Sequence, residues 1–340
     1  MTFNAEFSIG ARRVGVGHPV LIIAEAGVSH FGDPAKALAL VDLAAEAGAD
    51  VFKTQAYVTD TLLSSHLPEW RDRLRPKEVG FDFIARMKEA CDDRGLLFMC
   101  TAHDESVLAW LDDLRVPAFK IGSGERNNTP YFRAIASRGK PVLLSTGMYS
   151  PADVQEALAT FADAGLENLA LLHCVTSYPT PYDQVNLAAM ETLRAVFPGP
   201  VGYSDHTHGH HVSLAAVALG ASIIEKHITL DFNVPNAQDW KVAAGPKDFA
   251  DFVRSIREVE AARGTGNKAP QECERPALHW ALKSLVAARN LSAGTRLQTG
   301  DLLAKRAGGG IAPNQLHAIA GRTLARDVAA DEALAWEDLR

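Results

Sequence analysis

Two histidines and two lysines carry the chemistry that this sequence advertises. The stretches Val201-Gly202-Tyr203-Ser204-Asp205-His206-Thr207 and Ile224-Glu225-Lys226-His227 each end a short apolar run, residues 201–203 in the first and 222–224 in the second. Side chains alternate faces along a strand, so Ser204 and His206 share a face, as do Glu225 and His227. If the runs are neighbouring parallel strands about 4.8 Å apart, two imidazoles at matching heights can grip one divalent ion. The plain alternative is two unrelated histidines, one of them in a crowd with His208, His210 and His211.

Other apolar runs also end on polar residues: Glu25, Lys53, Thr101, Lys120 with Ser123 and Glu125, Ser145, and His173. A lysine closing an apolar strand is costly to bury without an anionic partner. Lys53 and Lys120, with serine and threonine hydroxyls on neighbouring runs, make a phosphate or carboxylate site. Alternatively they pair internally with Glu25 and Glu125. His173 reads as a histidine packed or hydrogen-bonded within its strand, and Trp240 as either a core anchor or a cavity wall.

The elements that must position these groups repeat along the chain. Residues 19–26 form an apolar strand, and a helix follows with Asp33 as N-cap, Pro34 at its first position and Gly48 beyond its end. Ala37, Leu40, Val41 and Ala44 give that helix one apolar face. Further strands are expected at 50–53, 96–100, 117–121, 141–145, 169–173, 201–203 and 222–225. Helices are expected at 81–94 and 105–114, after the Ser150 cap with Pro151 and Asp153, and at about 246–263. Eight short strands alternating with helices fit an α/β fold of the (β/α)8 TIM-barrel kind better than an open doubly wound sheet. No glycine-rich dinucleotide fingerprint follows the first strand. Residues 1–264 are read as the barrel, 265–283 as a Gly/Pro-rich linker, and 284–340 as a small unit with strands at 284–288 and 323–327.

Composition narrows the class. The 340 residues carry a net charge of -7, with 47% apolar and 22% charged side chains, which argues against a nucleic-acid binder. The four cysteines contain no C-x-x-C pair and suit reduced thiols. With no apolar signal segment in residues 1–13 and no long apolar window, the expected location is cytoplasmic.

Seven stretches in order resemble the sialic acid synthase family: I-A-E-A-G-V-S-H from Ile23, F-K-I-G-S-G-E from Phe119, L-S-T-G-M from Leu144, L-H-C-V-T-S-Y-P-T-P from Leu172, V-G-Y-S-D-H-T from Val201, E-K-H-I-T-L-D from Glu225 and K-R-A-G-G-G-I from Lys305. The resemblance implies a barrel followed by an antifreeze-like (SAF) domain, and condensation of phosphoenolpyruvate with an aldose, usually an N-acetylated hexosamine. It implies a divalent ion, manganese or magnesium, on His206 and His227, with Glu25 near the reacting centre. Phosphoenolpyruvate contacts fall on Lys53, Thr101, Lys120, Ser123, Ser145 and Ser204, with Thr176 near the phosphate or carboxylate. Acceptor contacts fall on Glu125 and Tyr178. Arg306 matches an arginine lent to the partner subunit, so a domain-swapped homodimer is implied.

Three positions depart from the family pattern. Thr176 stands where Asn is frequent, and K-R-P-G becomes Lys305-Arg306-Ala307-Gly308. The usual G-P-D-H segment, whose Asp meets the acceptor, reads Asn236-Ala237-Gln238-Asp239-Trp240. Strict register puts Gln238 in place of that Asp; a one-residue insertion puts Asp239 there. The altered acceptor half suggests an acceptor other than plain N-acetylmannosamine. The competing readings are condensation with a different or phosphorylated aldose, and a sugar-binding relative without catalysis. Because imidazoles must be neutral to bind metal, activity is expected to fall below about pH 6, and a pH–rate profile flat through that range would contradict the ligand assignment.

Overall fold

The computed structural model of the chain describes residues 3–235 and 237–340. It divides into two compact units, one ending at Gly264 and the other spanning Thr265–Arg340. In the first, an antiparallel hairpin of β1 (Glu6–Ile9) and β2 (Arg12–Gly15) precedes the barrel. The barrel strands are β3 (Leu21–Gly27), β4 (Val51–Ala56), β5 (Leu97–Ala102), β6 (Phe119–Ile121), β7 (Val142–Ser145), β8 (Leu169–Cys174), β9 (Val201–Asp205) and β10 (Ile223–His227). They are parallel and close in sequence order, with β10 hydrogen-bonded to both β9 and β3.

Local signals in the sequence explain the elements. The Asp33 side chain accepts from the Ala35 and Lys36 amides at the start of α1 (Pro34–Glu46), whose buried residues are Ala37, Leu40, Val41 and Ala44. After β4 come two short helices, α2 (Thr59–Leu62) and α3 (Pro68–Leu74), then α4 (Phe81–Asp93). Ser150 and Asp153 form a reciprocal capping box at the start of α5 (Pro151–Asp163). Strands 201–203 and 222–225 of the sequence reading run two residues further, so Asp205 and His227 lie inside the ladder.

The barrel has two apolar layers. Outward-facing strand residues such as Ile22, Phe52 and Phe98 pack under the helices. Inward-facing Leu21, Ile23, Val51, Met99, Leu143 and Ile223 fill the lumen together with Phe7, Ile9 and Val14 of the hairpin. The hairpin is therefore a stopper. Polar groups occupy the other end of the lumen, at the strand C-termini.

The second unit holds β11 (Lys283–Ala287) paired antiparallel with β12 (Leu302–Arg306), over a core including Leu285, Leu297, Ile319 and Leu334. Residues 323–327 make isolated bridges instead of the expected strand, because Thr323 and Ala325 bond Arg340 and Asp338 while the Leu324 backbone bonds Gly294 and Thr295. The stretch read as linker contains a helix, α6 (Arg275–Trp280), with proline in its first turn where its missing N–H costs nothing. Among the described residues no helix is long and apolar enough to cross a membrane.

Facing away from the lumen, Lys226 donates to Asp205 at 3.1 Å and to the Thr207 carbonyl at 2.7 Å, and Asp205 also accepts from Ser213 and the Thr207 amide. This buried pair joins β9 to β10 beside the two histidines. Lys226→Met leaves the Asp205 charge stranded and is expected to cost about 3–5 kcal/mol in urea unfolding. A loss under about 1 kcal/mol would mean that water already serves the carboxylate.

Candidate active site

Alternation along the barrel strands builds a site in two storeys. Glu25, Lys53, Thr101, Lys120, Ser145, Ser204 and Glu225 line the floor cavity, of about 180 Å³. Two residues further along four of the same strands or their immediate extensions stand Gln55, His103, His206 and His227, which also line it. Cys174, Ser123 and Thr176 complete one wall and Tyr178 the roof.

The floor is a buried charge network. Lys53 lies 2.6 Å from Glu25 and 3.6 Å from Glu225, and Lys120 lies 3.6 Å from the other oxygen of Glu225. Lys53 also donates to Thr101 at 3.2 Å, Lys120 to Ser145 at 2.7 Å, and Ser204 to Glu225 at 2.9 Å. Of the internal pairs considered from sequence, Lys53 with Glu25 exists. Lys120 pairs with Glu225 instead, because Glu125 sits on a 3-10 turn (Ser123–Glu125) and accepts from Asn128 at 2.7 Å outside the cavity lining.

Burial and neighbours divide the two carboxyls. Burial works against charge on Glu225, but Lys120 and Lys53 together hold it down to about 2. Burial, reinforced by the charge on Glu225, raises Glu25 despite Lys53. Burial also opposes charge on both lysines: the two glutamates outweigh it at Lys53, whose pKa is raised, while Lys120 is lowered by burial and by Lys53. The floor thus sets two lysines against two carboxyls, Glu225 held charged by both of them and Glu25 pushed toward its neutral form by burial.

Above it, the His206 and His227 ring centroids are 5.5 Å apart. His206 Nδ1 faces the Val175 carbonyl at 2.8 Å, which requires the proton on Nδ1 and leaves Nε2 a lone pair. His227 Nδ1 is buried without a hydrogen-bond partner, and burial lowers the pKa of this ring. Tyr178 stacks on His206 at 4.1 Å and meets His227 edge-on at 5.7 Å. Among the described residues no group of three or more His, Cys, Asp or Glu converges to hold a metal ion. Two imidazoles with an orphaned buried nitrogen nevertheless fit an open divalent site whose remaining ligands are water or substrate.

Gly27 explains how the storeys meet the outside. Its φ is +55°, and a Cβ there would lie 2.9 Å from Asp239 Oδ2 and 3.6 Å from both Glu25 Oε1 and His227 Cε1. Asp239 Oδ2 therefore comes close to Gly27, and Asp239 lines the outer cavity together with Gln238 and Trp240, whose indole N–H donates to the Val234 carbonyl at 3.0 Å. Asn236 lies outside the described residues. This outer cavity, of about 270 Å³, shares Gln55, His103, Tyr178 and His227 with the floor.

Several participants were not singled out from sequence. Gln55 donates to Glu25 at 2.8 Å, and His103, pushed down to about 4 by burial, faces Gln55 at 3.4 Å. Counting two residues on from Lys53 and Thr101 finds both. Glu225 was read as a face-mate of His227 rather than as the counter-ion of two lysines. His173 lies apart, bonded to the Val185 carbonyl at 2.7 Å, as its strand position suggested. Arg306 belongs to the second unit, where it stacks over Trp280 at 5.4 Å.

Comparisons with known proteins place these residues in company. Residues 40–268 match the NeuB family and 283–340 the SAF domain. The N,N'-diacetyllegionaminic acid synthase of Legionella pneumophila is 37% identical over 94% of each chain. The N-acetylneuraminate-9-phosphate synthase of Homo sapiens is 33% identical over 96% of this chain and 94% of its own. A crystal structure of N-acetylneuraminic acid synthetase from Leptospira borgpetersenii in complex with citrate superposes with a TM-score of 0.76 at 35% identity, over 82% of this chain and 96% of that one.

An anion entering the floor takes up the lysines that now face carboxylates. Inorganic phosphate is expected to bind the wild-type protein, and Lys120→Met to weaken it at least tenfold, about 1.4 kcal/mol, by calorimetry. Equal phosphate affinity in the variant would place the anion elsewhere.

Proposed function

The chain belongs to the NeuB family, and on that premise we propose that it condenses phosphoenolpyruvate with an N-acetylhexosamine-type aldose, giving a sialic acid-like 2-keto-3-deoxy sugar acid and inorganic phosphate. The observation that carries this reading is the paired lysine floor directly beneath two facing imidazoles. A site for one polyanionic substrate thus adjoins a place for a carbonyl electrophile.

The chemistry follows from the layout. Lys53, Lys120, Thr101, Ser145 and Ser204 hold phosphate and carboxylate, with Ser123 and Thr176 at the wall. Ser123 is itself fixed by the Gly147 amide at 2.9 Å. Carbon 3 of the enol attacks the aldehyde carbon and water adds at carbon 2; the proton that the water gives up balances the one that the aldehyde oxygen gains in becoming a hydroxyl. The resulting tetrahedral intermediate expels phosphate, whose charge the two lysines neutralise. Glu25, whose pKa burial raises, takes the proton from that water. Gln55 fixes the orientation of Glu25. His206 and His227 would hold a divalent ion, manganese or magnesium, which supplies Lewis-acid polarisation of the aldehyde when bound. Tyr178, Asp239 and Trp240 face the acceptor.

Arg306, on the second unit, completes the acceptor side from a partner copy in this proposal, making the working form a domain-swapped homodimer. The test is phosphate release from phosphoenolpyruvate with a panel of aldoses. Turnover is expected to stop with EDTA and return with manganese, and to be weaker with plain N-acetylmannosamine than with a related aldose. Co-expressing a Lys53→Met chain with an Arg306→Ala chain is expected to restore activity that neither has alone. Turnover indifferent to EDTA would refute the ion, a clear preference for N-acetylmannosamine would refute the altered acceptor, and failure to complement would refute the swap.

A further inference from the structure

The segment between β4 and α4 carries four cations at alternate positions: Arg71, Arg73, Arg75 and Lys77. Spacings of four residues sort them onto two faces. Arg71 and Arg75 both pair with Asp60, Arg75 at 2.6 Å, and Arg71 also donates to the Leu63 carbonyl at 2.9 Å. These bonds lash α3 to α2. The Tyr57 hydroxyl, just past β4, donates to the Leu74 carbonyl at 3.0 Å and fixes α3 to the barrel mouth.

Held that way, the segment turns Arg73 and Lys77 into the outer cavity, opposite Asp239 and beside Tyr57 and Trp240. Aromatic rings back both cations: Arg73 lies 5.1 Å from the Trp70 ring and Lys77 5.8 Å from that of Phe31. Two like charges one helical turn apart repel, and burial together with Arg73 lowers the pKa of Lys77. Asp239 is the one carboxylate among the described residues lining this cavity, and it points inward toward Gly27 and His227. The outer end is therefore cationic, the inner end acidic.

We propose that Arg73 and Lys77 bind a phosphate monoester on the acceptor, at the end of the sugar remote from its aldehyde. The aldehyde end would lie near His227 and Asp239, where the outer cavity opens onto the floor. A guanidinium fork and an ammonium one turn apart match a phosphate dianion better than a neutral hydroxymethyl group. The inference deepens the proposed synthase reading and rests on it for the direction in which the sugar lies. Relatives named for a free acid and for a 9-phosphate both align over nearly the whole chain, so ancestry leaves the choice open and the cavity charge makes it.

The test compares N-acetylmannosamine 6-phosphate with N-acetylmannosamine in the full-length protein. The phosphorylated acceptor is expected to have a tenfold or greater advantage in kcat/KM. Arg73→Gln and Lys77→Gln should erase that advantage through the acceptor KM, leaving the KM for phosphoenolpyruvate unchanged, and Lys77→Arg should retain it. Equal use of both sugars by the wild type, or equal losses with both in the glutamine variants, would overturn the proposal. Calorimetry without phosphoenolpyruvate separates it from the synthase reading. Charge-dependent binding of the sugar phosphate without turnover of any aldose sinks the synthase reading alone. Turnover of uncharged aldoses with no preferential binding of the phosphate sinks this inference alone.

Discussion

Four ionisable groups in the barrel lumen, Glu25, Lys53, Lys120 and Glu225, set the terms for everything around them. Each is almost wholly removed from water, so each depends on its neighbours for the solvation it has lost. Glu225 is the keystone, one oxygen toward each lysine. It can do this only because β10 closes against β3, bringing the last strand across from β4 and β6. Closure of the sheet and assembly of the charge network are one event. On the proposed reading, a substrate bearing phosphate and carboxylate exchanges one set of anions for another in a cavity already organised for them.

Much of this was legible in the sequence. The capped helices and the eight apolar runs announced the barrel, since Asp33, Pro34, Ser150 and Asp153 act through bonds within a few residues of themselves. Floor residues were legible because a lysine or glutamate ending an apolar strand is conspicuous. The upper storey was half hidden: Gln55 and His103 have no signal of their own and become visible only by counting two residues from Lys53 and Thr101. What sequence could not supply was register. Whether Lys120 meets Glu125 or Glu225, and whether Gln238 or Asp239 comes up against Gly27, depends on strand order and on the path of the loop after β10. Both are long-range properties.

The two storeys also differ in how they are held. The floor hangs from neighbouring strands whose spacing is fixed by backbone hydrogen bonds, so its geometry tolerates little change. The outer cavity is walled by two excursions, the α2–α3 segment and the loop carrying Asp239 and Trp240, tied down by side-chain bonds such as Arg75 to Asp60 and Tyr57 to Leu74. Loops on a rigid scaffold can be rewritten without disturbing the strands beneath them. In the proposed function the common half of the chemistry sits in the rigid part and the discriminating half in the replaceable part.

The hairpin that stops the barrel has a kinetic implication. Its seat is lined by Leu21 and Val51 near the beginning of the barrel and by Ile223 at its very end. Phe7 and Ile9 are synthesised before every barrel strand yet have no finished berth until β10 has been made and zipped to β3. Until then their apolar surface lacks its final cover. Seating of the cork is a late step of biogenesis that certifies every stave to be in place.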